Sequence, residues 1–226
     1  MDQRFFITST GTGIGKSFIT AALMQQAKRR GQSIAAYKPV ISGFDPAYVE
    51  TSDTGLILES LGLPMTPVNI ERVSPWRYAA PLAPSMAARQ EDRPIDFHQL
   101  VAHSQKAIQG TEDIVLIEGV GGVMVPLNDR RTVLDWIEAL GIPVLLVVGT
   151  YLGSISHTLT ALSVLRQRHI PVHALILNES DNSTVTLLST SDELKLWTET
   201  PLIAVKRRTD NNWRSVSELQ NLLQSS

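Results

Sequence analysis

The chain has 226 residues, a formal net charge of −2 and no cysteine. Its length suits one α/β domain or two small ones. The near-neutral charge, with no basic block, gives no support for bulk nucleic-acid or membrane-surface binding, and the missing thiols exclude disulfides, thiolate metal sites and a cysteine nucleophile.

The first element starts almost at once. Phe5 to Ser9 reads as an apolar strand, followed by Thr10-Gly11-Thr12-Gly13-Ile14-Gly15-Lys16-Ser17 and an amphipathic helix from Phe18 to about Arg30. Strand, small-residue loop, Gly-Lys-Ser and helix is the order of a phosphate-binding P-loop. Glycines let backbone N–H groups close on phosphate oxygens, and the helix N-terminus adds partial positive charge. Lys16, on a solvated loop, reaches the terminal phosphates, and the Ser17 hydroxyl can ligate Mg²⁺. The strict pattern has glycine where this chain has Thr10, so Gly11 and Gly13 are expected to supply the flexibility. The plainer alternative is a glycine-rich turn with a chance Gly-Lys-Ser.

Ser33 to Tyr37 reads as a short buried strand that Pro39 and Gly43 stop. Lys38 then lies at a strand's carboxyl end, where open α/β sheets bind ligands; otherwise it is a solvated surface lysine. Asp53 precedes a helix over Thr54 to Leu61 and is either its N-cap or a residue facing a metal. Pro64 to Pro94 is proline-rich without clear periodicity in its first half, the signature of a long functional loop or lid. Ile95 to Ile108 returns to helical spacing. Asp113 to Ile117 is a strongly apolar strand ending in Glu118-Gly119-Val120-Gly121-Gly122, an acidic strand end suited to Mg²⁺.

Thr132 to Leu140 reads as a helix and Pro143 to Val148 as a central strand, apolar without alternation. That run is too short to cross a bilayer. With no signal-peptide architecture at the start, a cytoplasmic protein is expected. A helix from about Ser154 to Arg168 carries His157, structural or catalytic. Val172 to Leu177 is a strand ending in Asn178; a helical segment toward Thr198 and a strand over Pro201 to Val205 follow. From about Thr209 a polar tail carries a candidate last helix over Ser215 to Leu223. Strands and helices alternate with room for right-handed crossovers. The expected fold is therefore one α/β P-loop domain over residues 1–226, a mostly parallel sheet with helices on both faces. Its strand-end residues share one edge.

Four segments together resemble the dethiobiotin synthetase family: the loop from Thr10 to Ser17, Tyr37-Lys38-Pro39-Val40-Ile41-Ser42-Gly43, the stretch from Val115 to Gly122, and Val147 to Ser154. The resemblance covers the chain to about residue 180, and the Lys-Pro-Val-x-Ser-Gly segment is its most specific part. It implies an ATP-dependent ligase of biotin biosynthesis that closes a ureido ring on 7,8-diaminopelargonic acid with CO₂, through a carbamate and a carbamic-phosphoric anhydride. It implies ATP as co-substrate and Mg²⁺ as cofactor, the metal held by Ser17, Asp53 and Glu118. Gly13, Ile14, Gly15 and Lys16 would hold the phosphates, with Phe18, Gly119, Val120 and Gly121 beside the nucleotide and Asn178 at the adenine. Lys16 and Lys38 would be catalytic. Thr12, Lys38 and Ser42 would hold the diamine, and Gly153 and Ser154 of a second subunit its carboxylate, so a homodimer is implied.

The chain departs from the family pattern at Ser9, Gly11, Ser156 and Lys206, the last bearing on nucleotide preference. The alternative is a regulatory switch ATPase of the partition or division-site type. Those proteins carry a second lysine where this chain has Gly11 and often end in a basic amphipathic helix, which the tail lacks.

Overall fold

The computed structural model describes residues 3–208 and 212–223. Six strands form the central sheet: β1 (Gln3–Ser9), β2 (Ile34–Tyr37), β5 (Ile114–Glu118), β6 (Val144–Val148), β7 (Val172–Asn178) and β8 (Leu202–Val205). Their order is β2-β5-β1-β6-β7-β8, and every described pairing is parallel. The helices are α1 (Lys16–Arg29), α2 (Asp53–Leu61), α3 (Pro67–Val73), α4 (Pro84–Gln90), α5 (Phe97–Ile108), α6 (Val133–Leu140), α7 (Ser154–Gln167) and α8 (Leu187–Trp197). The chain steps from β1 outward to β2, returns through β5 beside β1, then crosses to β6 and continues to β8. The loop after β1 therefore sits at the reversal of strand order, where such sheets open a crevice at their carboxyl ends.

Both sheet faces are covered, which explains strands without polar alternation. Phe5, Ile7, Leu116, Leu145 and Ile176 point into one layer, filled from α1 and α2 by Ile19, Leu23, Ile57 and Leu58. Phe6, Ile117, Leu146 and Leu177 point into the other, filled from α5, α6 and α7 by Leu100, Trp136 and Leu162. The period-two alternation sends neighbouring residues to opposite cores.

The stretch 64–94 is not a loop. It contains α3, the strand β4 (Trp76–Tyr78) and α4, and β4 pairs in parallel with β3 (Val40–Ser42) in a separate two-stranded sheet. The prolines that suggested irregular chain are helix starters: Pro67 and Pro84 stand in the first turns of α3 and α4, where a missing N–H costs nothing. Thr66 caps α3 by accepting from the Asn69 N–H.

The C-terminal segment also differs from expectation. Its regular part is a single 3₁₀ turn, Trp213–Ser215, and turns rather than an α-helix occupy residues 218–223. Nor is the described part simply polar, since Trp213, Val216, Leu219, Leu222 and Leu223 are buried in the α1 layer. The Gln26 side chain on α1 donates to the Val216 carbonyl, and Arg214 stacks on the Trp213 ring while pairing with Glu59 of α2. The segment thus clamps the two helices that carry Ser17 and Asp53. Trp213→Ala is expected to lower unfolding free energy by about 3–5 kcal/mol, the usual cost of emptying a buried aromatic site. Urea unfolding measures it; an unchanged midpoint would show that the segment lies outside the cooperative core.

Candidate active site

The loop after β1 takes its shape from two glycines at positive φ, Gly13 (74°) and Gly15 (94°); Gly11 is not one of them. Gly15 is the N-cap of α1, and a Cβ there would collide with the Asn178 amide. Asn178, at the end of β7, donates through Nδ2 to the Ile14 carbonyl at 2.9 Å, so the far side of the sheet pins the loop.

Lys16 does not stand on a solvated loop. It is buried and curls back, its Nζ donating to the Gly121 carbonyl (2.8 Å), Ser9 Oγ (3.1 Å) and the Gly11 carbonyl (3.5 Å). Ser9 is itself fully buried and holds that ammonium where the family pattern has glycine. Burial, and then repulsion from Lys38, lower the Lys16 pKa to about 8 against partial support from Glu118 and Asp53.

Beside it lies a charge cluster, buried at Lys38 and Glu118 and partly open to solvent at Asp53. Lys38 is only 3% exposed, so it is no surface lysine. Its Nζ bridges Glu118 Oε1 at 2.6 Å and Asp53 Oδ2 at 2.8 Å. Burial works against the Lys38 charge, but Glu118 first and then Asp53 outweigh it and raise its pKa. Burial likewise pushes the Asp53 carboxyl up, and the Lys38 ammonium more than offsets it, so the Asp53 pKa is lowered. Asp53 is the first residue of α2 rather than its cap; Ser52 caps the helix by accepting from the Gly55 N–H. Glu118, fully buried at the end of β5, also accepts from Ser17 Oγ and Thr20 Oγ1, each at 2.6 Å.

Glu118 and Asp53 flank the Lys38 ammonium and Ser17 bonds to Glu118, so three hard oxygen donors gather at one place, a donor set that fits a hard divalent metal. No cluster of three His, Cys, Asp or Glu side chains suited to a metal occurs among the described residues.

A cavity of about 700 Å³ opens over this cluster. Thr12, Gly13, Gly15, Lys16, Ser17, Phe18, Lys38, Ser42, Asp53, Val120 and Gly121 line it, so most residues picked from the sequence come together. Glu118 and Gly119 are not in the lining but bond to Lys38, which is; Ile14 and Asn178 are also outside it and bond to each other. Gly153 and Ser154 are not in it; they begin α7 next to Leu152, which is 83% exposed. His157 is exposed and paired with the Tyr151 hydroxyl at 2.8 Å, outside the cavity.

Sequence reasoning missed an apolar wall of Ile41, Leu56, Val125 and the segment 81–84. The small sheet holds that segment in place: the Gly43 N–H donates to the Ala80 carbonyl and the Phe44 N–H to the Tyr78 carbonyl. It also missed Thr20 and, although it placed Ser9 at the functional edge, the hold of Ser9 on Lys16. For Thr20 a signal existed, since it lies three residues after Ser17 and so shares its helix face.

A family model described as an AAA domain matches residues 3–210. The chain is 45% identical over 179 residues to an ATP-dependent dethiobiotin synthetase BioD of Phenylobacterium zucineum (strain HLK1), covering 79% of this chain and 76% of that protein. It is 45% identical over 195 residues to a protein of the same name from Acidiphilium cryptum (strain JF-5), covering 85% and 86%. The ATP-dependent dethiobiotin synthetase BioD 1 of Escherichia coli (strain K12) is 34% identical over 181 residues, 79% of each chain. Among solved structures, the septum site-determining protein MinD with Mg-ADP from Pyrococcus horikoshii OT3 superposes with a TM-score of 0.54 at 16% identity, over 92% of this chain and 82% of that one. The MinC:MinD complex of Aquifex aeolicus gives 0.55 at 14% identity, with the same coverage. At such identity these two likenesses show the fold alone.

The buried Lys16 has a measurable signature. Its folded pKa of about 8 lies below the unfolded value of 10.5, so between those values the unfolded chain binds more protons. Stability from this group is present above the unfolded pKa and is lost as pH falls through the folded one. In ligand-free protein, the parent should gain on the order of 3 kcal/mol between pH 8 and 10.5 relative to Lys16→Met. Parallel stability profiles of the two proteins in denaturant titrations would contradict the burial.

Proposed function

This chain belongs to the dethiobiotin synthetase family, and we propose that the cavity over Lys16, Lys38 and Glu118 is where it closes the ring. The activity is the ATP-dependent ring closure of biotin biosynthesis, a ligase reaction. In the proposed course one amine of 7,8-diaminopelargonic acid takes up CO₂ as a carbamate. A carbamate oxygen attacks the γ-phosphorus of ATP and ADP leaves. The second amine then attacks the carbamoyl carbon, phosphate leaves, and the amine protons pass to solvent.

No step needs a nucleophilic side chain; the demands are position and neutralised charge. In this reading Gly13, Ile14, Gly15 and Lys16 present N–H groups and an ammonium to the phosphates, Phe18 and Gly119 to Gly121 border the nucleotide, and Asn178 meets the adenine. Lys16 leaves its carbonyl cage to do so. Thr12, Ser42 and Lys38 hold the diamine and its carbamate, with the apolar wall of Ile41, Leu56 and Leu82 along its methylene chain. Ser17, Asp53 and Glu118 would hold Mg²⁺, which when bound supplies charge neutralisation at the phosphate oxygens. The diamine's carboxylate is met by Gly153 and Ser154 of a second copy in a homodimer, and the enzyme works in the cytoplasm. Exposed Leu152 beside those residues supports an available surface. No helix among the described residues is long and apolar enough to cross a membrane.

The observation that carries the site assignment is Lys38. A carbamate and a γ-phosphate are both anions, and bringing them together requires a fixed cation. Lys38 is held by two carboxylates at the cavity floor, beside Ser42 of the same strand-end segment. A switch ATPase cradles its nucleotide with the loop and has no such demand, so that alternative is not favoured.

Incubation with diaminopelargonic acid, bicarbonate, Mg²⁺ and ATP should give dethiobiotin by mass spectrometry. Lys38→Gln should lose about two or more orders of magnitude of ring closure. Because the variant leaves Glu118 and Asp53 without their ammonium, circular dichroism must first show it folded. Nucleotide affinity measured without the diamine should change far less. Parental turnover in a folded Lys38→Gln would remove Lys38 from the mechanism. Sedimentation at micromolar concentration should give about twice the chain mass; a monomer that still makes dethiobiotin would refute the shared site.

A further inference from the structure

We infer that Thr20 is a positioning residue for Glu118, fixing which carboxylate oxygen is presented to the metal and phosphate side of the site. This rests on the reading of Glu118 as a metal-holding residue. The two oxygens of Glu118 have different partners. Oε1 accepts from Ser17 Oγ and Lys38 Nζ, each at 2.6 Å, on the cavity side. Oε2 accepts from Thr20 Oγ1 at 2.6 Å. Glu118 and Thr20 are both fully buried, so water does not compete for that bond.

The terminal torsion of a glutamate is broad and roughly two-fold, so one anchored oxygen is what gives the other a fixed direction. Thr20 has one hydroxyl proton and two acceptors in reach, Glu118 Oε2 and the Lys16 carbonyl at 3.0 Å. The shorter, charge-assisted bond to the carboxylate is the stronger. Thr20 and Ser17 sit three residues apart on α1, so the same rigid element sets both anchors and locates them relative to the phosphate loop. Removing the Thr20 hydroxyl would leave Oε2 unpaired and free the carboxylate to turn. Groups that orient a metal-binding carboxylate in this way usually matter about 10–100-fold in metal affinity or activity.

The test is calorimetric titration of ADP, with and without Mg²⁺, into the full-length parent, Thr20→Val and Thr20→Ser. The probe needs no diamine, so its outcome is independent of whether ring closure is the activity. The Mg²⁺-dependent gain in ADP affinity should fall about tenfold in Thr20→Val and be restored in Thr20→Ser, while Mg²⁺-free ADP affinity stays within about twofold. In the Glu118→Gln background, Thr20→Val should add little, because the two residues act through one bond. Should Thr20→Val not fold, Thr20→Ala removes the same hydroxyl with less steric demand and is read identically. An unchanged Mg²⁺-dependent gain, an equal loss with and without Mg²⁺, or no rescue by serine would each overturn the inference.

Discussion

The structure depends on one ammonium ion. Lys38 Nζ sits between Glu118 and Asp53 with almost no access to water. A buried charge without partners costs several kcal/mol, so buried Lys38 and Glu118 depend on each other, while Asp53 adds a partner from a more open position. They come from different places: the end of β2, the end of β5 and the first residue of α2. Satisfying the cluster therefore fixes how the β2 edge, the centre of the sheet and α2 meet. Ser17 and Thr20 join it from α1, which brings the phosphate loop into the same construction.

Stability and function make opposite demands on this arrangement. The Lys38 ammonium and the carboxylates neutralise one another, and Lys16 rests on Ser9 Oγ and on the Gly121 carbonyl from beyond β5. Each of these charges is also suited to an external partner. Lys16 and Lys38 suit anions, and the Ser17, Glu118 and Asp53 oxygens suit a divalent cation. Ligands would thus exchange partners within a preformed electrostatic frame rather than assemble one. The depressed pKa of Lys16 reflects a charge held in readiness at some cost in solvation.

The fold by itself does not identify the reaction. MinD superposes over nearly the whole chain at 16% identity, yet fold does not determine function. The distinguishing features are local. One is a lysine at the end of the second strand. The small sheet of β3 and β4, separate from the main one, holds the apolar segment 81–84 against the cavity.

The sequence determined the phosphate loop, the alternation of strands and helices and the edge on which the site lies, because these follow from local spacing. Glycine before Gly-Lys-Ser, apolar runs of five to seven residues and polar residues at strand ends can each be read without knowing what they touch. Capping was legible only in part. A threonine ahead of an apolar helical run marks the start of α6 at Thr132, whereas an Asp before a helix serves as cap or as site residue, and spacing does not choose between them for Asp53. The prolines of 64–94 signalled irregular chain because proline ends some elements and begins others, and only the pairing of β4 with β3 reveals which. The C-terminal segment was misjudged for a similar reason. Val216, Leu219, Leu222 and Leu223 have helical spacing yet fall in irregular chain and turns, and what buries them is a layer shared with α1, distant in the chain. Tertiary structure alone decided that Lys16 is caged, that Lys38 is a bridge rather than a surface charge, and that Thr20 reaches Glu118. Each of these is a contact across the chain, from Lys16 to Gly121, Lys38 to Glu118 and Thr20 to Glu118, and local spacing carries no signal for the partner's position.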